Sequence, residues 1–238
     1  MNLFITSDKQ GSGKTLIAAG IGATMQSLGY SVGYYKPIQI NAVSQNGFPA
    51  SPDISFVKKA DPNLKTQTSY IFKTDALPVF AGQKENNPVK AEVLVKDYLK
   101  LRKSVDMVLV EGCGGVLTPY TKEMKAADFI IATKTPMIMV VEPKNDNFDD
   151  IVANLLVAKH SGIEIRGVIV NKYTKSSKIN IKKMPALIEA YSGIPVVGIV
   201  EKQEKLTPTG LIDIILHSVD LETIFNMKIP KLNSQGEN

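Results

Sequence analysis

The amino-acid sequence predicts a single α/β domain in which helices cover both faces of a mostly parallel sheet. Short apolar runs alternate with helical patterns along most of the chain, and several of these runs contain no polar residue. Such runs are typical of strands that are buried on both faces, and repeated strand-helix alternation favours parallel pairing. The length of 238 residues fits one domain of ordinary size.

The boundaries of the elements follow from the hydrophobic pattern. Strands are predicted at residues 3–5, 31–35, 107–110, 136–141, 167–170 and 196–200. Helices are predicted near residues 15–28, 53–60, 89–103, 125–132, 147–161, 182–191 and 208–217. Residues 41–52 are rich in Asn, Ser, Gly and Pro, which predicts a loop. We expect the domain to cover residues 1–231 and residues 232–238 to form a disordered polar tail.

The segment between the first strand and the first helix reads TSDKQGSGKT over residues 6–15. A glycine-containing turn that opens a helix directs backbone N–H groups at one point, where anions bind. Asp8 stands where the usual G-x-x-x-x-G-K-[ST] pattern has its first glycine, so a simple strand-to-helix turn is the alternative interpretation. The context favours a P-loop NTPase-like domain. The predicted nucleotide-binding residues are Gly11, Ser12, Gly13, Lys14, Thr15 and Leu16.

Polar residues follow three other predicted strands: Lys36, then Glu111 ahead of Gly-Cys-Gly-Gly, then Asn171 with Lys172. The carboxyl ends of parallel strands meet at one edge of a sheet, where sites of such folds form. Glu111 is placed to complete a Mg²⁺ shell beside the Thr15 hydroxyl, and Lys36 supplies a cation for phosphoryl charge. Asp53 is a second candidate Mg²⁺ ligand, although an N-terminal helix cap is the alternative interpretation.

Composition excludes several other classes of site. One cysteine and two histidines argue against disulfides and zinc, so the expected metal is an oxygen-liganded Mg²⁺ that accompanies a nucleotide. The net charge of +5 is concentrated only in residues 172–183, which we interpret as a solvated loop and helix start, not as a nucleic-acid surface.

No apolar run is long enough for a bilayer, and the N-terminal residues resemble a strand, not a signal peptide, so we expect a cytoplasmic protein that binds no membrane. Cys113 is interpreted as a packing residue, because a neighbouring carboxylate should raise its pKa.

These motifs together resemble the dethiobiotin synthetase family over about residues 1–200. The resemblance rests on the phosphate loop, YKPIQ at residues 35–39, Asp53, LPVFA at residues 77–81, VEGCGG at residues 110–115 and Val170-Asn171. It implies a homodimeric, ATP- and Mg²⁺-dependent ligase that closes a ureido ring from 7,8-diaminononanoate and CO₂ through a phosphocarbamate.

The resemblance also implies roles for individual residues. Lys14 and Lys36 would stabilise the transferring phosphoryl group, with Glu111 as a third catalytic residue. Thr15, Asp53 and Glu111 would hold Mg²⁺, and Asn171 would recognise adenine. The substrate would contact Lys36, Gly114, Gly115 and Val116.

The sequence departs from the family pattern at three places. Ser7-Asp8-Lys9-Gln10 replaces Gly-Thr-Asp-Thr, and Ile40 replaces a hydroxyl residue. Residues 145–150 read NDNFDD in place of a segment that holds the substrate carboxylate, and these acidic residues would repel such a group.

Two alternative functions therefore stay open. One is a related P-loop ligase with a different carboxyl or amine substrate. The other is a partition-type ATPase switch, in which Lys9, five positions before Lys14, would reach across a nucleotide-sandwich dimer.

Overall fold

The computed structural model describes residues 1–144, 146–174 and 179–230, the last range without the side chains of residues 179–182. Asn145, residues 175–178 of the basic segment and the predicted tail at residues 232–238 lie outside the described residues. In the part of the chain that is described, no helix combines the length and the apolar character that crossing a bilayer requires.

The described strands form one seven-stranded sheet and one small hairpin. The order in the large sheet is β5-β2-β6-β1-β7-β8-β9, and its strand pairs are all parallel. The small β3-β4 hairpin is antiparallel. The strands are β1 Asn2–Ser7, β2 Val32–Gln39, β3 Val43–Gln45, β4 Phe48–Ala50, β5 Lys65–Ile71, β6 Met107–Glu111, β7 Met137–Val141, β8 Ile165–Tyr173 and β9 Val196–Glu201.

Helices cover both faces of the large sheet, as predicted. They are α1 Lys14–Ser27, α2 Pro52–Ala60, α3 Pro78–Lys84, α4 Ala91–Arg102, α5 Ala126–Thr133, α6 Phe148–His160, α7 Ile179–Ser192, α8 Pro208–Ser218 and α9 Leu221–Phe225. The α1, α8 and α9 helices bury apolar residues against one face of the sheet, while α4, α5 and α6 do so against the other. The two faces thus hold separate hydrophobic cores, which accounts for the apolar runs in β1, β6 and β7.

The hydrophobic pattern missed the less apolar elements. The β5 strand reads KTQTSYI and lies at the edge of the sheet, where only Tyr70 is buried. The expected loop at residues 41–52 contains the β3-β4 hairpin, whose two turn residues, Asn46 and Gly47, both have positive φ. The short helices α3 and α9 were also not predicted, because each is too short to show a clear helical period.

The parallel topology gathers the predicted site residues at one edge of the sheet. The β1 strand lies between β6 and β7, and Ile5 of β1 pairs with Glu111 of β6. The carboxyl ends of β1, β2, β6 and β8 therefore open towards the same side, where the phosphate loop leaves β1. This edge is where ligands bind in open parallel sheets.

Candidate active site

Two glycines shape the loop between β1 and α1. Gly11 has a φ of 79° and Gly13 a φ of 92°, a left-handed region that side chains rarely adopt. A Cβ atom on Gly13 would lie 2.0 Å from Nδ2 of Asn171. Gly13 is also the N-cap of α1, so the loop runs directly into the amino end of a helix. Gly13 is thus required for the loop to pack against the end of β8, whereas Gly11 is favoured by its backbone conformation alone.

Three carbonyl groups of this loop accept hydrogen bonds from side chains. The Lys9 carbonyl accepts from Oγ of Ser7 at 2.6 Å and from Oγ of Ser12 at 3.4 Å. The Ser12 carbonyl accepts from Nδ2 of Asn171 at 2.8 Å, and the Gly11 carbonyl accepts from Nζ of Lys172. Carbonyl oxygens would repel an anion, so these contacts favour a loop whose N–H groups face the site.

Lys14 begins the first helix and is almost fully buried. Its Nζ donates to Oγ of Ser7 at 2.8 Å. Burial lowers the pKa of Lys14, and the negative charge of Glu111 opposes this shift. A buried ammonium group with a neutral hydroxyl partner is placed to exchange that partner for a phosphate oxygen.

Glu111 is the centre of a buried polar cluster. Its Oε1 accepts from Oγ1 of Thr15 and from Nζ of Lys36, both at 2.9 Å. Its Oε2 accepts from the hydroxyl of Tyr34 at 2.7 Å. Burial and then the Glu111 charge raise the pKa of Tyr34 well above its usual value, so this hydroxyl stays a donor. Glu111 is 1% exposed, and its charge is therefore balanced by Lys36.

Lys36 joins Glu111 to Asp53. Its Nζ lies 2.8 Å from Oδ2 of Asp53, which stands in the first turn of α2. Burial alone would lower the pKa of Lys36, but Glu111 and Asp53 together raise it, so the ammonium form is held. The cap of α2 is Ser51, whose Oγ accepts from the Ile54 N–H at 3.1 Å. The alternative interpretation of Asp53 as the N-cap is therefore wrong.

These groups surround a cavity of about 320 Å³. Ile40, which stands where the family pattern has a hydroxyl, also faces it. The predicted residues that line the cavity are Gly11, Gly13, Lys14, Thr15, Lys36, Asp53 and Glu111. The other predicted site residues, all in the described part of the chain, lie outside this lining: Ser12, Leu16, Gly114, Gly115, Val116 and Asn171.

The glycine run after β6 packs against the start of the phosphate loop. The Gly114 carbonyl accepts from Oγ1 of Thr6 at 2.9 Å. A Cβ atom on Gly115 would lie 2.6 Å from Oδ1 of Asn154, and the side chain of Val116 is fully buried. Cys113 lines the cavity, and burial, opposed by Lys36 and Lys14, raises its pKa to about 11. The expected direction of this shift is confirmed, but burial contributes more than the neighbouring carboxylate.

The acidic segment before α6 is linked to the loop through Asn147. Its Nδ2 donates to Oδ2 of Asp8 at 2.8 Å and to the Glu142 carbonyl at 3.0 Å. The other Asp8 oxygen, Oδ1, is buried without a hydrogen-bond partner. Burial raises the pKa of Asp8, and the Asn147 hydrogen bond opposes the shift. Asp149 is exposed at the start of α6.

Sequence reasoning missed two buried groups of this site, Tyr34 and Ser7. Tyr34 lies two residues before Lys36 on β2, so the period of a strand already places both side chains on one face. Ser7 is the last residue of β1, and its position there was the available signal. The sequence predicts that the Glu111 carboxylate belongs to the site, but the groups that donate hydrogen bonds to it depend on the three-dimensional packing.

Comparison with solved structures shows the same fold in other proteins. The MinD cell division protein in its complex with MinC from Aquifex aeolicus has a TM-score of 0.60 and 16% identity, with 98% of each chain covered. A ParA family ATPase from Chlorobium tepidum has a TM-score of 0.58 and 16% identity, with 94% of this chain and 96% of that chain covered. At this identity the likeness shows the fold alone.

Comparison with curated sequences gives relatives of nearly equal length. The chain is 28% identical to the ATP-dependent dethiobiotin synthetase BioD of Bacillus licheniformis, over 94% of this chain and 95% of that protein. It is 26% identical to the protein of the same name from Bacillus subtilis, over 94% and 96%. A family model described as AAA domain (AAA_26) matches residues 1–209, so the chain belongs to the AAA domain family.

Proposed function

We propose that this chain is an ATP-dependent ligase of the dethiobiotin synthetase type, which closes a ureido ring on 7,8-diaminononanoate with CO₂. The observation that carries the proposal is the convergence of Thr15, Lys36, Asp53 and Glu111 beside the phosphate loop. The curated relatives with this name align over almost the whole chain, which supports the same assignment.

The phosphate loop and two lysines would bind the triphosphate of ATP. The loop N–H groups and the amino end of α1 form an anion site. Lys14 would leave the Ser7 hydroxyl for a terminal phosphate oxygen, because a charged acceptor makes the stronger hydrogen bond. Lys36 would stabilise the charge that develops on the transferring phosphoryl group.

The residues beside the loop also fit a Mg²⁺ ion. Thr15, Asp53 and Glu111 offer only oxygen donors, which Mg²⁺ prefers. Both carboxylates already share one cation, since Nζ of Lys36 lies 2.8 Å from Asp53 and 2.9 Å from Glu111. When bound, Mg²⁺ would neutralise charge on the phosphate oxygens.

The reaction that we propose needs no nucleophile from the protein. One amine of the substrate adds to CO₂ and loses a proton, which gives a carbamate. A carbamate oxygen then attacks the terminal phosphorus of ATP, and ADP leaves. The second amine attacks the carbamoyl carbon of this mixed anhydride and loses a proton, which closes the ring and releases phosphate. Cys113, with a pKa of about 11, is protonated at neutral pH and takes no part. The protein orients the reactants and stabilises phosphate charge.

The second alternative, a switch of the partition type, has a weaker basis. The fold likeness to MinD and ParA proteins does not extend to their activity at 16% identity. Lys9, the residue that suggested it, has a half-exposed side chain whose ammonium lies 4.0 Å from Asp8. In a switch, the buried contact between Lys36 and Glu111 would have no evident role.

The assay that tests the proposal is ADP release with ATP, Mg²⁺ and bicarbonate, in the presence and absence of the diamine. We expect ADP release only with the diamine, and its loss in Lys14→Ala and Glu111→Ala. ADP release that does not depend on the diamine but rises with protein concentration, DNA or lipid would favour the partition-type switch. ATP binding without turnover of this diamine, combined with turnover of another amine or carboxylate, would identify a ligase of different specificity.

We further propose that the enzyme is a homodimer, as the resemblance implies. Light scattering coupled to size exclusion measures this property, and a mass of twice 25.9 kDa is expected. A mass of one chain at micromolar concentration would contradict this part of the proposal.

A further inference from the structure

The end of β8 is irregular where it meets the phosphate loop. The pairing of β8 with β9 shifts register between Val170 and Tyr173, which marks a bulge at Asn171 and Lys172. Lys172 has a φ of 53°, a left-handed conformation that is uncommon for a residue with a side chain. Bulges and strained residues of this kind occur next to functional sites, where they redirect side chains.

The bulge brings two consecutive side chains onto the same loop. Successive side chains of a regular strand point to opposite faces of the sheet. Here Asn171 donates to the Ser12 carbonyl, and Lys172 donates to the Gly11 carbonyl. The irregular backbone of β8 therefore allows two consecutive side chains to contact two successive peptide groups of the loop.

These two contacts fix the direction of the peptide N–H groups. In a trans peptide the N–H points away from the carbonyl of the same unit. Holding the Gly11 and Ser12 carbonyls against β8 therefore turns the N–H groups of Ser12 and Gly13 away from it. A cation on a carbonyl also polarises the peptide, which strengthens its N–H as a donor.

Lys172 is itself held by Glu142 at the end of β7. Its Nζ lies 3.2 Å from Oε2 of Glu142, and the Glu142 carbonyl accepts from Asn147. The lysine side chain is 38% exposed, so the ion pair serves to orient it more than to stabilise the fold. The same lysine thus contacts the loop on one side and β7 on the other.

We propose that Lys172 is a positioning residue for the phosphate loop, which holds the Gly11 peptide in the orientation that binds the phosphates of a nucleotide. This inference rests on the nucleotide-binding part of the proposed function and not on ring closure. It assigns Lys172 no contact with the substrate and no part in proton transfer.

Three variants of Lys172 separate positioning from a merely structural role. Lys172→Met keeps the length and the backbone strain but removes the donor, and Lys172→Arg keeps a donor. Lys172→Gly removes the side chain and relieves the strain at positive φ. Lys134 is a matched control, because it is an exposed lysine with a φ of 49° at the end of α5.

The measurements are the dissociation constant for ADP by titration calorimetry and the unfolding midpoint without nucleotide. We expect Lys172→Met and Lys172→Gly to weaken ADP binding about tenfold, the size expected for one lost charged hydrogen bond. Lys172→Arg should stay within about threefold of the wild type. Lys172→Gly should unfold at the same temperature as the wild type or higher, so binding and stability change in opposite directions. Lys134→Met and Lys134→Gly should bind ADP as the wild type does.

Two results would overturn the inference. One is unchanged ADP affinity in both Lys172→Met and Lys172→Gly, and the other is a loss of affinity that follows a loss of stability in all three variants. If the wild type binds ADP but forms no ureido product, the ligase proposal fails while the effect of Lys172 is still measured. If the wild type binds no ADP, both proposals fail.

Discussion

Replacing Lys36 by methionine should destabilise the nucleotide-free protein, because it leaves the Glu111 carboxylate buried without a cation. Lys36 is 4% and Glu111 is 1% exposed, although both line the cavity, so water can replace the ammonium group only in part. The Tyr34 and Thr15 hydroxyls stay on the carboxylate and offset part of the loss. Methionine has nearly the length of lysine, which limits the contribution of packing to the measured effect.

Removing one partner of a buried ion pair costs about 3–5 kcal/mol. Because the two hydroxyl groups still contact Glu111, the loss of stability in Lys36→Met should lie near the lower end of this range, at about 3 kcal/mol. The lost ion pair with Asp53 adds little to this loss, because Asp53 is more exposed. For a domain of this size, the unfolding midpoint should fall by about 6–12 °C. Urea unfolding gives the free energy, and differential scanning calorimetry gives the midpoint.

The chain offers a matched control in Lys125, which pairs with Asp128 at the same distance of 2.8 Å but on the surface. Lys125→Met should change the stability by less than about 1 kcal/mol. Adding Glu111→Gln to Lys36→Met should recover part of the lost stability, because the uncompensated charge is removed. An effect of Lys36→Met no larger than that of Lys125→Met would refute the buried ion pair.

Four further predictions follow from the site. Gly13→Ala should abolish measurable ADP binding, since its Cβ would lie 2.0 Å from Asn171, and retained binding would show that the loop is misplaced. Asp8→Asn should raise the unfolding midpoint at pH 7. Burial raises the pKa of Asp8 in the folded state above the ordinary aspartate value of 3.8, so the wild type loses stability as the pH rises above 3.8, and the asparagine variant does not. The difference should shrink as the pH falls towards 3.8, and an equal difference at both pH values would contradict the raised pKa. Cys113 should react with iodoacetamide at pH 8 about a hundredfold more slowly than a thiol with a pKa of 9.0, because burial raises its pKa to about 11 and less of it is thiolate. Mass spectrometry of the intact protein measures the rate, and a rate equal to that of the reference thiol would show that Cys113 is not buried. Asp149→Asn should leave ADP affinity unchanged, because Asp149 is exposed and lies outside the cavity lining, whereas a loss measured by calorimetry would contradict this placement.

The sequence predicts the large sheet well, because most of its strands contain a short apolar run. Strands such as Met107–Glu111 and Met137–Val141 are buried on both faces, and burial on both faces leaves a clear signal. The edge strand Lys65–Ile71 has no such signal, since most of its residues contact solvent. The polar composition of β5 is tolerated because it lies at an edge of the sheet, so the hydrophobic pattern misses this strand.

The candidate site was predictable in its residue types but not in its contacts. Strand ends with Lys36 and Glu111 indicate that charged groups meet at one edge of a parallel sheet. The positive φ of Lys172 and the bulge at the end of β8 have no counterpart in the sequence. They result from the fit between β8 and the phosphate loop, which exists only once both are folded.

The most direct test of the account uses ¹³C-labelled bicarbonate, ATP, Mg²⁺ and 7,8-diaminononanoate, with mass spectrometry of the product. We expect a ureido product that carries one labelled carbon, with one ADP released for each ring that forms. Glu111→Gln keeps the shape of the side chain but removes the charge that faces Lys36, and we expect this variant to form no ureido product and to release no ADP. ADP release without a labelled ring, or a labelled ring formed at the wild-type rate by Glu111→Gln, would contradict the central claim.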